Sequence, residues 1–221
     1  MSDDQFPAAY LDDIFTEPDP DVHTLANLGP LAPLAGSWTG EAGSDTHPVV
    51  EGTKTEPYTE TWVFEPIDPQ TNGPQLFYGL RYHQHIVRPG GVETFHDQVG
   101  YLLWEPATGL VAMTLAIPRA QVAMAGGHAQ PGDRKFVLRA AVGDPNFGIV
   151  TGPFLDAAFH TTAWEITFRV GDDDTWAYRQ TTTLEVHGRT GAFDHTDANR
   201  LVRVGPPVPN PLAVEATGAG A

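Results

Sequence analysis

The chain of 221 residues contains no cysteine. That removes disulfide scaffolds, thiolate zinc sites, thiol nucleophiles and cysteine-ligated clusters or haem. Cations are scarce too. Twelve Lys and Arg stand against 28 Asp and Glu, for a formal charge of −16, and Lys54 and Lys135 are the two lysines. A nucleic-acid binder needs a cationic face for phosphates, and anionic headgroups repel a chain of this charge. Serine is limited to Ser2, Ser37 and Ser44, none of them within Gly-x-Ser-x-Gly. No P-loop or dinucleotide-binding glycine pattern stands between a strand and a helix. No window reaches the roughly 18 apolar residues that span a bilayer. Met1-Ser2-Asp3-Asp4 is the opposite of a cationic signal-peptide start. The expectation is a soluble, cytoplasmic protein, long enough to bury one core of its own.

What charge there is lies unevenly. Residues 1–53 carry ten acids and no Lys or Arg, whereas residues 54–204 hold all 12 bases and 17 acids, a balance of −5. The sequence divides accordingly into an acidic N-terminal arm at 1–30, a β-barrel domain at 31–204 and a disordered tail at 205–221. The arm has room for a short amphipathic helix around Val22 to Leu28. The tail, opening Gly205-Pro206-Pro207-Val208-Pro209 and ending in small residues, lacks the composition to fill a core.

Between these flanks Val, Thr, Tyr, Phe and Trp cluster in runs bounded by Gly, Pro, Asn and Asp, the pattern of strands. In Trp164-Glu165-Ile166-Thr167-Phe168-Arg169-Val170 the large apolar residues alternate, as one buried face requires. Gly171-Asp172-Asp173-Asp174 then reads as a solvated turn, because EF-hand spacing and its closing Glu are absent. Counting from Ser37–Glu41 to Asn199–Val204 gives about ten strands on short turns. Short turns dictate antiparallel pairing, and so many strands without helices favour closure, which removes exposed edges. The fold class is therefore an all-β, roughly ten-stranded antiparallel up-and-down barrel with a short helical or irregular arm.

Histidine is the richest chemical signal among the candidate site residues. His83 and His85 share one face of a strand and, with His195, offer a non-haem metal set resembling the cupin pattern. The competing reading puts His83 and His85 on the solvent face with Arg81, while Leu80, Tyr82 and Ile86 point inward. His96 reads as a hydrogen-bonded structural residue, with Asp97 on the opposite face. His47 reads as a surface loop residue. His195 lies in Asp194-His195-Thr196-Asp197, just before the last expected strand, where a side chain can turn inward over a barrel's opening. Neutral imidazole there would suit haem iron, although such a run also makes local cap and turn networks.

Leu34-Ala35-Gly36-Ser37-Trp38-Thr39-Gly40-Glu41 resembles the opening Gly-x-Trp-x-Gly strand of the nitrobindin family, in the fatty-acid-binding-protein-like branch of the calycins. Phe95 to Trp104, Ile117-Pro118-Arg119, Thr181-Thr182-Thr183 and His195 follow in the family's order, so the resemblance covers about residues 31–204. Ala42 departs from it, standing where nitrobindins continue the motif with another Gly. The resemblance implies a barrel holding haem b through one axial histidine, His195, with nitric oxide binding or peroxynitrite isomerisation as its activity. It also implies that Gly36, Trp38 and Gly40 shape the closed end. Met113, Leu115 and Met124 are the candidate apolar lining. An alternative is a carrier or sensor of an apolar, fatty-acid-like molecule, with Arg119 or Arg139 anchoring a carboxylate. The expected partners are haem or a small apolar molecule, without nucleic acid or membrane, and a homodimer is compatible with these readings.

Overall fold

Alternation of large and small, apolar and polar, sets the strands. The computed structural model describes Tyr10 and residues 13–218. Its strands are β1 (Gly36–Pro48), β2 (Thr53–Pro66), β3 (Gln70–Asn72), β4 (Gln75–Val87), β5 (Thr94–Trp104) and β6 (Leu110–Ile117). They continue with β7 (Gln121–His128), β8 (Lys135–Ala141), β9 (Ile149–Thr151), β10 (Phe159–Val170), β11 (Thr175–Val186) and β12 (Ala192–Gly205). Short helices α1 (Thr24–Asn27), α2 (Pro153–Ala158) and α3 (Pro211–Ala216), and a 3-10 segment at Gly29–Leu34, complete the order. No helix among the described residues is long and apolar enough to cross a membrane.

Sequential strands pair antiparallel around the sheet, β12 returns beside β1, and β2 pairs with β4 from Thr59↔Val87 to Pro66↔Leu80. That last ladder closes a ten-stranded barrel, with β3 and β9 as additions. The ten expected strands all form. β1 and β12 are longer than expected, running on to Pro48 and starting already at Ala192.

One end of the barrel is solid. Trp38, Trp62, Phe64, Phe168 and Trp176 are buried there, with the Trp62 and Trp176 rings 5.4 Å apart and nearly perpendicular. Rings of this size each contribute roughly 1.5–3 kcal/mol on burial, with edge-to-face geometry adding to it. Leu28, Leu31 and Leu34, from the 3-10 segment and the residue before it, cap this cluster, and Trp38 Nε1 donates to Leu34 O at 2.7 Å. Arg203 fastens the cap. Its guanidinium lies 4.1 Å above the Trp38 ring and donates to Pro33 O at 3.0 Å.

The expected helix around Val22–Leu28 contracts to the single turn α1 followed by the 3-10 segment, because Pro30 and Pro33 break the α pattern. The expected disordered tail is corrected over residues 205–218. Asn210 is buried, accepts from Thr24 N at 3.1 Å and donates to Val22 O and Asp68 Oδ1, both at 2.8 Å. One polar side chain with three partners anchors what its Pro-rich composition would leave loose. The acidic turn is solvated and paired: Asp172 meets Arg134, Asp173 meets Arg200 at 2.8 Å and Asp174 meets Arg203 at 3.1 Å.

Candidate functional site

The other end of the barrel is hollow. A cavity of about 490 Å³ opens there, a size suited to a small organic ligand or cofactor. None of the plug residues lines it. Space comes from small side chains turned inward on β7, where Ala123 and Ala125 face the interior while Val122 and Met124 face out. Ile149, Phe154, Leu155, Phe159 and Trp164 form an apolar wall, in part from α2 and its flanks. Gln84, Gln98, Gln180, His96 and Thr182 supply polar groups elsewhere on the lining.

At the polar side β1 and β12 bring three ionisable groups together. Asp45 sits directly opposite Asp197 in the ladder, and His195 lies two residues before Asp197 on the same face. His195 Nε2 is 2.7 Å from Asp45 Oδ1 and 3.8 Å from Asp197 Oδ2. The second Asp45 oxygen accepts from His47 Nδ1 at 2.8 Å, and His47 Nε2 lies 3.5 Å from Glu56. Asp197 accepts from Gln180 Nε2 at 3.2 Å.

Burial alone would raise the Asp45 carboxyl, but the bonds and charges of His195 and His47 outweigh it and hold it below the usual range. Burial likewise works against charge on His195, yet the Asp45 hydrogen bond and the two carboxylates raise its value. Asp197, with less help from His195 and with Asp45 beside it, is pushed up to about 6 by burial. His96 is lowered to about 4, chiefly by burial and further by the Arg119 and His195 charges, so its imidazole stays neutral.

The residues expected to carry function scatter. Of the apolar candidates, Leu115 lines the cavity, Met113 is buried without reaching it, and Met124 is 40% exposed on the outer face. Arg119 lines it and donates to Phe95 O at 2.8 Å, whereas Arg139 lies outside, paired with Glu165 at 2.8 Å. Gly36, Trp38 and Gly40 belong to the filled end, where a Cβ on Gly40 would strike the Asn199 amide.

The cupin-like set is overturned. His83 and His85 lie on the outer face, beside Asp97 at 3.3 Å and Thr94 at 3.0 Å, because strand alternation sends Tyr82, Gln84 and Ile86 inward instead. His47 is not a surface loop residue, and His96 faces the cavity. Asp45, His47 and Asp197 are site residues that the sequence reading missed.

His195 offers an imidazole to a haem iron once its ring turns, since iron takes Nε2 and the Asp45 carboxylate holds that atom here. Asp45 holds the Nε2 side of the ring, and Nδ1 has no hydrogen-bond partner among the described residues. An apolar wall for the macrocycle is present as well. By fold and site this is a ligand-binding barrel of the calycin kind. The sequence matches the model of the THAP4-like, heme-binding beta-barrel domain over residues 27–203, and the chain belongs to that family. It is similar in structure to Rv2717c from M. tuberculosis, a crystal structure, with 25% identity and a TM-score of 0.58. That alignment covers 81% of this chain and 96% of the other. No curated protein matches it.

Proposed function

We propose that the barrel binds haem b in its cavity, with His195 as the axial ligand, and acts on nitric oxide or peroxynitrite in the manner of a peroxynitrite isomerase. The observation that carries this is an imidazole, His195, lining a cavity with an apolar wall. Family membership supports haem as the cofactor. Bound haem would supply a Lewis-acidic iron for a small nitrogen oxide. The chain's own residues do the rest. Asp45 keeps the His195 ring in the cavity wall, the Ile149, Phe159 and Trp164 side chains exclude water, and neutral His96 with Gln98 offers polar contacts to a small ligand.

Hemin titration of the purified protein tests the first step. A Soret shift is expected in the wild type and its loss in His195→Ala; identical spectra for the two reject the axial assignment. Faster peroxynitrite decay to nitrate by the loaded wild type than by His195→Ala tests the second step.

The amphipathic lining supports a second reading, a carrier of an apolar molecule bearing a carboxylate at Arg119. Displacement of a fluorescent fatty acid by unlabelled fatty acid, lost in Arg119→Ala and retained in His195→Ala, would favour it.

A further inference from the structure

Two acids directly opposite each other on one face of a ladder repel, and a poorly solvated wall makes the repulsion worse. β1 and β12 nonetheless place Asp45 opposite Asp197 in the cavity wall, with Asp45 almost wholly buried. Both are aimed at one nitrogen: His195 Nε2 lies 2.7 Å from Asp45 Oδ1 and 3.8 Å from Asp197 Oδ2. One donor atom from each of the three residues thus falls within 4.8 Å of the others. A single proton on the imidazole brings one positive charge to two carboxylates. A divalent cation brings two, and leaves the imidazole neutral to donate its lone pair.

We infer that Asp45, His195 and Asp197 form a site for one small divalent cation, with zinc the best fit. Imidazole with carboxylates is a zinc set, and bonds of about 2.0–2.2 Å put neighbouring ligand atoms roughly 3–3.5 Å apart. The two separations from His195 Nε2 bracket that spacing. Both carboxylates are also oriented by neighbours, as metal ligands commonly are. His47 Nδ1 donates to the second Asp45 oxygen at 2.8 Å, and Gln180 Nε2 donates to Asp197 at 3.2 Å. Three protein ligands leave a fourth position, and since all three residues line the cavity, it opens to a small molecule there. The cation uses the ring as it stands, with Nε2 towards Asp45, whereas haem needs it turned. The inference therefore goes beyond the haem reading without resting on it, and the two ligands compete for His195.

The test is a calorimetric titration of the chelator-treated full chain with zinc chloride. One equivalent is expected to bind the wild type and His83→Ala/His85→Ala alike, the latter removing the paired histidines of the outer face. Asp45→Asn, Asp197→Asn and His195→Ala should each weaken binding at least about 100-fold, more than losing a residue that only orients a ligand. Cobalt(II) in place of zinc should give a visible absorption spectrum that Asp197→Asn loses, which a merely structural role would not do. Zinc should raise the melting temperature of the wild type and not of Asp197→Asn.

No zinc binding by the wild type, binding unchanged in Asp197→Asn, or binding lost in His83→Ala/His85→Ala overturns the inference. If Asp45→Asn does not fold, Asp197→Asn and His195→Ala decide by the same criterion. Hemin titration separates the two readings. A His195-dependent Soret band that saturating zinc leaves unchanged overturns the inference and leaves the haem reading standing. Zinc binding that needs all three residues, without any such band, upholds the inference and rejects the haem reading.

Discussion

At the scale of single residues, Glu60 shows how the filled end meets the cavity. Its Oε2 accepts from Trp62 Nε1 at 2.7 Å, Gln84 Nε2 at 2.9 Å and Tyr178 OH at 3.1 Å. Three donors favour the anion, but burial is the larger effect and raises the carboxyl from 4.5 to about 7. Between those two values the folded chain binds more protons at this site than the unfolded chain, so stability falls as pH rises. The loss reaches about 3 kcal/mol once pH passes the folded value, at 1.36 kcal/mol per unit. Urea melts at pH 5 and pH 8 are expected to show this slope in the wild type and a flatter one in Glu60→Gln. The comparison must be with the variant, since Asp197 and His195 pull in the same direction and His96 in the opposite one. Equal slopes in the two proteins would remove Glu60 as the cause.

At the scale of elements, β1 decides what enters the cavity. From Gly36 to Gly40 its even-numbered residues face inward, and after a bulge between Gly40 and Gly43 the odd-numbered ones do. A bulge adds a residue to one strand and reverses which face follows it. Here the reversal carries Asp45 and His47 into the barrel. Gly43 permits it, because a Cβ there would lie against the Tyr58 ring. Gly43→Ala is expected to cost about 1–3 kcal/mol in denaturant melts, as overpacking does. It should also weaken hemin binding, because the shift displaces the strand that lines the cavity at Asp45 and His47. A variant with wild-type stability and hemin affinity would show that the bulge does not set the site.

The same bulge explains what could be read from the sequence. The ten strands were legible because their alternation is local, and His195 through the order of the family's motifs, although β12 begins at Ala192 and so contains it. Asp45 and His47 were not, since counting in twos from Trp38 puts both outside. Met124 was misplaced for a related reason. On β7 the interior takes the small alanines and leaves the larger side chains to solvent, the reverse of a packed core. A hollow barrel breaks the rule that large apolar residues mark the inside.

On the scale of the whole molecule, the barrel has a sealed end and an open end, and the segments 22–34 and 205–216 serve the seal. No residue of 22–34 or 205–216 lines the cavity. Asn210 joins the two termini, reaching Val22 and Thr24 on one side and Asp68 on the other, while Leu212 N also donates to Asp68 at 2.9 Å. If the stabilising effect of the C-terminal segment passes through that side chain, Asn210→Ala should reproduce most of the loss caused by deleting residues 206–221. The expected size is about 1–3 kcal/mol, the penalty for leaving buried polar groups without partners. Hemin affinity should stay unchanged in both, because the seal and the cavity are separate parts of one barrel. Thermal melts and hemin titrations on the two variants decide the matter. A deletion far more damaging than the substitution would shift the weight to α3 and its buried Ala213. A fall in hemin affinity would mean that the two ends are coupled through the aromatic cluster between them.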